Sequence, residues 1–175
     1  MTEAQLSNAM DAYGSTVYRL ALTRMQNIAD AEDVYQEVFL RLWKQAAEDW
    51  DGDRAKAWLI RTTLNRCADL HRFRLRRPVL SFAEIPDLAQ PEDESRELWE
   101  AVSRLPEKAR AAVHLYYAEG YSAEEISQLM HIPAATVRTR LHRARKQLKE
   151  LLGVIDDETC VSLSDGTNFG PQRAE

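Results

Sequence analysis

Residues 121–152 read YSAEEISQLMHIPAATVRTRLHRARKQLKELL. The pattern predicts a helix, a tight turn and a second helix. Ser122 is placed to cap the first helix, with Glu125 at the capping-box spacing. Ile126, Leu129 and Met130 then share a face. His131-Ile132-Pro133 ends the helix, because proline cannot continue the ladder and biases Ile132 toward extended backbone. The second helix starts near Ala134, with Val137, Leu141, Ala144, Leu148 and Leu151 at helical spacing. Its other face carries Thr136, Arg138, Thr139, Arg140, His142, Arg143, Arg145, Lys146 and Lys149. Two helices so joined, the second basic on its free face, suit a DNA-binding helix-turn-helix. A solvated basic helix has the same pattern, so this stretch alone does not decide.

Charge along the chain adds to the argument. The net charge of the 175 residues is −5, which by itself speaks against nucleic acid. Yet residues 54–77 hold eight Lys/Arg and one acid, Asp69, and residues 134–149 hold six and none. Two cationic surfaces on an acidic body predict two DNA contacts, with the body damping indiscriminate binding.

Before the helix-turn-helix, residues 106–120 (PEKARAAVHLYYAEG) predict a helix with Pro106 in its first turn and Gly120 as its stop. Leu115, Tyr116 and Tyr117 would back the motif. Residues 95–105 predict a short helix buried through Leu98, Val102 and Leu105. The stretch 78–94 has three prolines, five acids and no base, the composition of a linker.

Nearer the start, residues 4–26 predict a first helix, with a break over Asn27-Ile28-Ala29. Asp30 reads as the N-cap of a second, DAEDVYQEVFLRLWKQA, whose core stripe is Val34, Val38 and Leu42, widened by Phe39 and Trp43. Its outer face offers Asp33, Gln36, Glu37, Arg41 and Lys44, which suit either solvent or a docked partner. Residues 48–53 (EDWDGD) predict a loop with an exposed Trp50. A long helix over 54–77 follows, in which Arg61, Asn65, Arg66, Arg72, Arg74, Arg76 and Arg77 alternate with apolar and aromatic residues including Trp58, Leu64, Cys67, His71 and Phe73. Cations for phosphate, rings for stacking and an amide for a base edge suit partly single-stranded DNA, as a buried tryptophan and solvated arginines suit a plain helix.

Other classes of protein fit less well. No apolar run reaches the roughly 18 residues that a membrane span needs, and the first residues, MTEAQLSNAMDAYG, carry no leader pattern. Cys67 and Cys160 are too few for a disulfide framework or zinc cluster, and no Gly-rich phosphate loop or catalytic constellation is present. A cytoplasmic, non-enzymatic protein without metal or cofactor is expected. Two rivals remain at this point: a stand-alone helix-turn-helix regulator, and a helical adaptor that does not bind DNA.

Taken together, DAEDVYQEVFLRLWK (30–44), AWLIRTTLNRCADLHRFRLRR (57–77), RLPEKARAAVHLYYAEGYSAEEISQLM (104–130) and IPAATVRTRLHRARKQL (132–148) resemble a bacterial RNA polymerase sigma factor of the extracytoplasmic-function (ECF, group four, sigma-70) type. The resemblance implies an all-α protein of two small helical domains joined by an acidic linker: a region 2-like domain over 1–78, a linker over 79–94 and a region 4-like helix-turn-helix domain over 95–152; residues 153–175, which lose all periodicity and have no counterpart in that pattern, are expected to form a flexible tail. It implies polymerase docking through Asp33, Gln36, Glu37, Arg41 and Lys44. For melting of the minus-ten element it implies base capture by Asn65 and the Trp50–Asp53 loop, and phosphate contacts from Arg61, Arg66, Arg72, Arg74, Arg76 and Arg77. For the minus-thirty-five element it implies Thr136, Arg138, Thr139, Arg140 and Arg143. Core RNA polymerase, promoter DNA and an anti-sigma factor are the implied partners. The linker would follow the RNA path through the polymerase. The chain departs from the family pattern at Ser127, where alanine is usual, and at His131, where glycine is usual. A left-handed residue at His131 would cost about 1 kcal/mol and reshape the turn slightly.

Overall fold

The structure is a computed structural model that describes residues 2–45, 52–76 and 93–153, with the side chains of 75–76 and 93–96 left aside. The helices are α1 (Glu3–Met25), α2 (Ile28–Lys44), α3 (Gly52–Arg76), α4 (Asp93–Ser103), α5 (Glu107–Val113), α6 (Ala123–Met130) and α7 (Ala134–Leu151). No strand occurs among the described residues, and no helix among them is long and apolar enough to cross a membrane. The chain divides into two compact units, one carrying residues 1–90 and the other most of 91–175. Each is taken by itself.

In the first unit α1, α2 and α3 pack on one another. Leu20, Leu22, Val34, Val38, Leu42, Leu59 and Ile60 are all but fully buried, which uses the predicted stripe of α2. Gly14 lets α1 approach α2 closely, since a Cβ there would stand 3.0 Å from the Tyr35 hydroxyl. Trp43 is not core; it is half exposed. The helix starts also differ from the sequence expectation. Gln26 is left-handed at φ 53°, and Asn27, not Asp30, caps α2 by accepting from the Asp30 N–H at 3.0 Å. The break is thus shorter than Asn27–Ala29. Asp30 is instead drawn into the fold, where Arg74 of α3 pairs with it. Gly52 and Asp53, expected in a loop, form the first turn of α3.

In the second unit α4 starts at Asp93 and ends at Ser103, earlier at both ends than predicted. Leu98 is half exposed, whereas Ala101 and Leu105 are buried. Behind the end of α4 lies Arg110, which donates to the carbonyls of Ser103 at 3.2 Å and Leu105 at 2.7 Å. A buried guanidinium there satisfies carbonyls that a finished helix leaves open. The helix predicted over 106–120 is not uniform: α5 gives way to a π-helical turn at His114–Ala118. Leu115 in that turn is buried, Tyr117 faces outward, and Gly120 closes it at φ 74°. α5 and α4 both pack on α7.

Candidate nucleic-acid and partner interfaces

The helix-turn-helix forms where its sequence places it. Ser122 and Glu125 make the reciprocal cap: the Ser122 N–H donates to Glu125 Oε2 at 2.8 Å, and the Glu125 N–H donates to Ser122 Oγ at 3.3 Å. His131 adopts φ 52°, the left-handed geometry that glycine takes most easily. The Ile132 N–H reaches the Ser127 carbonyl at 3.1 Å, and Ser127 Oγ donates to the Ile132 carbonyl at 2.6 Å. The two departures from the family pattern are therefore neighbours in space: the serine clamps the turn that the histidine must enter.

Val137, Leu141 and Ala144 anchor α7. Arg138, Thr139, His142, Arg143 and Lys146 are exposed on its other side, with Thr136 and Arg140 half-buried between. Leu148 is half-buried and Leu151 exposed, so the apolar stripe thins toward the end. Arg138 forms an ion pair with Glu124 of α6. The Thr139 hydroxyl donates to the Ala135 carbonyl at 2.9 Å, leaving its lone pairs to accept from a ligand. Arg145 Nε donates to the Tyr117 hydroxyl at 3.0 Å, which gives that exposed ring a positioning part.

On α3, Asp53, Arg61, Asn65 and Arg72 are exposed, while Arg66 and Arg74 are half-buried. Arg61 Nε turns back to the Ala57 carbonyl at 3.3 Å. Arg72 pairs with Asp69 on the same helix. Arg74 pairs with Asp30, and Arg66 pairs with Glu37 at 2.7 Å, so α2 supplies carboxylates to two of the α3 candidates. Burial pushes the Asp30 carboxyl above its ordinary range although the Arg74 guanidinium beside it pulls it down. Phe73 is half exposed and, with Arg66, Asp69, Leu70 and Arg72, lines an open groove. Trp50 and Arg77 lie outside the described residues, as does the side chain of Arg76. Cys67 is wholly buried, and that burial pushes its thiol to about 11, as suits a core residue.

The outer face of α2 exposes Asp33, Gln36, Arg41 and Lys44 as the sequence suggests, with Glu37 partly covered by its two arginine partners. It also exposes Leu40 (54%) and Trp43 (50%), which the sequence reading left out of the face. They lie four and seven residues from Gln36, one and two helical turns along the same side. Two large apolar side chains among polar ones are the composition of a docking surface more than of a solvated helix.

An arginine-faced helix-turn-helix in one unit and a cationic helix in the three-helix unit define a helical protein with two candidate nucleic-acid faces. Its sequence matches the family models Sigma-70 region 2 over residues 9–77 and Sigma-70 region 4 over residues 95–148. It is 35% identical over 161 residues to the ECF RNA polymerase sigma factor SigE of Mycolicibacterium smegmatis, covering 86% of this chain and 62% of that relative. It is 31% identical over 157 residues to the ECF RNA polymerase sigma factor SigL of Mycobacterium tuberculosis, covering 84% and 89%. The structure is similar to the sigma factor RpoE in its complex with the anti-sigma factor NepR from Bartonella quintana, with TM-score 0.72, 25% identity and coverage of 86% and 98%. The chain belongs to the ECF RNA polymerase sigma factors of the sigma-70 family.

Proposed function

We propose that the chain is a promoter-specificity subunit, not an enzyme: it binds core RNA polymerase and directs it to promoters. In this reading residues 1–78 are the region 2-like domain, which docks on polymerase through α2 and opens the minus-ten element with α3. Residues 95–152 are the region 4-like domain, whose α7 reads the minus-thirty-five element. Residues 79–94 link the two, and 153–175 form the tail. The observation that carries it is the pairing of both sigma-70 region matches with an exposed arginine face on each of α3 and α7.

The docking face extends the sequence assignment by Leu40 and Trp43, which join Asp33, Gln36, Glu37, Arg41 and Lys44. Arg61, Asn65 and Arg72 are the outward minus-ten candidates on α3, with Asp53 in its first turn and Arg66 and Arg74 held in ion pairs beside them. An extruded base costs a few kcal/mol that such a surface can return through stacking and hydrogen bonds. Thr136, Arg138, Thr139, Arg140 and Arg143 form the α7 reading set. The complex of RpoE with NepR supports an anti-sigma factor as a further partner. A cytoplasmic setting is part of this reading, since core RNA polymerase is the proposed partner.

Co-purification with bacterial core RNA polymerase tests the docking assignment. The wild-type chain is expected to co-elute, and Trp43→Ala to lose about tenfold or more in affinity, as an interface anchor does, while keeping its helical circular dichroism. Unchanged affinity in that variant removes Trp43 from the interface. A dimer that binds duplex and ignores polymerase would mean a conventional regulator.

A further inference from the structure

Glu37 lies where the two candidate faces of the first unit meet. Its Oε1 accepts from Arg41 Nη2 at 2.7 Å, one turn farther along α2. Its Oε2 stands 2.7 Å from Arg66 Nε on α3. The Arg66 end is enclosed: Nε has essentially no exposed surface, and the side chain as a whole is 25% exposed. The same arginine lines the open groove shared by Asp69, Leu70, Arg72 and Phe73. One carboxylate on the candidate docking helix is thus paired by charge with an arginine on the candidate DNA helix.

The contact is an ion pair without the alignment of a hydrogen bond, and it draws the guanidinium toward α2 through charge. A free arginine would have to give up side-chain rotamers on every contact it makes. A held one meets a correctly placed acceptor without that cost and adapts poorly to a misplaced one. The carboxylate behind it also disfavours phosphate that arrives without forming the aligned contact.

We propose that Glu37 is a positioning residue for DNA recognition: by pairing with Arg66 from α2, it keeps that guanidinium at the edge of the α3 groove and sharpens discrimination between promoter and other DNA. The inference rests on the reading of α3 as the minus-ten face, and gives Glu37 a part besides its place on the docking surface.

The test uses the full chain with core bacterial RNA polymerase, as wild type, Glu37→Gln, Arg66→Ala and the double variant. Glutamine keeps the shape of the side chain and an acceptor for Arg41, and thermal midpoints check that each variant is folded. Each chain is added in excess, so that every holoenzyme is fully formed and a docking defect does not enter. Affinity is then measured for a promoter fragment selected by the wild-type holoenzyme and for a scrambled fragment of equal length. Glu37→Gln is expected to reduce the promoter-to-scrambled affinity ratio by about fivefold or more, the lower end of one base contact's worth. In the Arg66→Ala background the same substitution is expected to change that ratio by less than about twofold, since the shared interaction is already gone. An unchanged ratio in the single variant, or an equal drop in both backgrounds, overturns the proposal. A wild-type holoenzyme with no sequence preference overturns the underlying reading, and the proposal with it.

Discussion

Asp30 is pulled in opposite directions by its surroundings. Burial raises its carboxyl pKa, Arg74 lowers it and Asp33 raises it again, for a net upward shift. An acid whose folded pKa lies above its unfolded one binds its proton more tightly in the fold. Its contribution to stability is therefore complete below the unfolded value of about 3.9 and declines as pH rises through the folded value. Asparagine at this position does not titrate. The thermal midpoint of the wild type, measured against that of Asp30→Asn, is expected to fall as pH rises from about 3 to about 6. A gap that moves in the wild type's favour over that range would mean that the Arg74 pair outweighs burial. Asp30 also marks a boundary of what the sequence reveals. Asn27 and Asp30 are both good caps, three residues apart, and local preference ranks them alike. The choice falls to Asn27 because Arg74, 44 residues away in sequence, engages the Asp30 carboxylate. No local pattern carries that information.

At the scale of elements, the turn between α6 and α7 brings together a strained residue and its clamp. His131→Gly relieves the left-handed backbone but gives the unfolded chain more freedom, so a net gain of about 0.5–1 kcal/mol is expected. Ser127→Ala removes the hydroxyl bond to the Ile132 carbonyl and is expected to cost about 1 kcal/mol. Denaturant unfolding of both variants and their combination checks this; a smaller serine effect once His131 is glycine would show that the two are coupled. On α7 the arginines separate by what they read. Arg138→Ala or Arg140→Ala is expected to cost about 1–3 kcal/mol on the preferred promoter and less on others if the side chain meets a base edge. An equal loss on every sequence would make it a phosphate contact. The elements themselves were largely legible, because the Ser122–Glu125 cap and the Val34, Val38, Leu42 stripe are local and periodic. Trp43 was misjudged for a reason of the same kind: periodicity places it at the margin of a stripe, and only the position of a neighbouring helix determines whether it is covered. The π-helical turn at His114–Ala118 and the buried Arg110 behind α4 leave no comparable mark in the sequence.

On the scale of the whole molecule, segregation of charge was the feature most visible beforehand. A chain of net −5 concentrates its cations on two helices, and the structure places exposed arginines on both. What composition could not reveal is that several are already paired: Arg66 with Glu37, Arg72 with Asp69, Arg74 with Asp30 and Arg138 with Glu124. DNA must exchange with those carboxylates, so the affinity of the chain by itself should fall short of what its arginine count suggests. A partner that supplies the rest of the binding energy fits this restraint, and core polymerase is the partner that the family implies. The most direct measurement is run-off transcription from a promoter library by bacterial core polymerase, with and without the chain. The account predicts transcripts that require the chain, start at defined positions and share two upstream sequence blocks. Transcription unaffected by the chain, while it remains folded and in excess over polymerase, would contradict it.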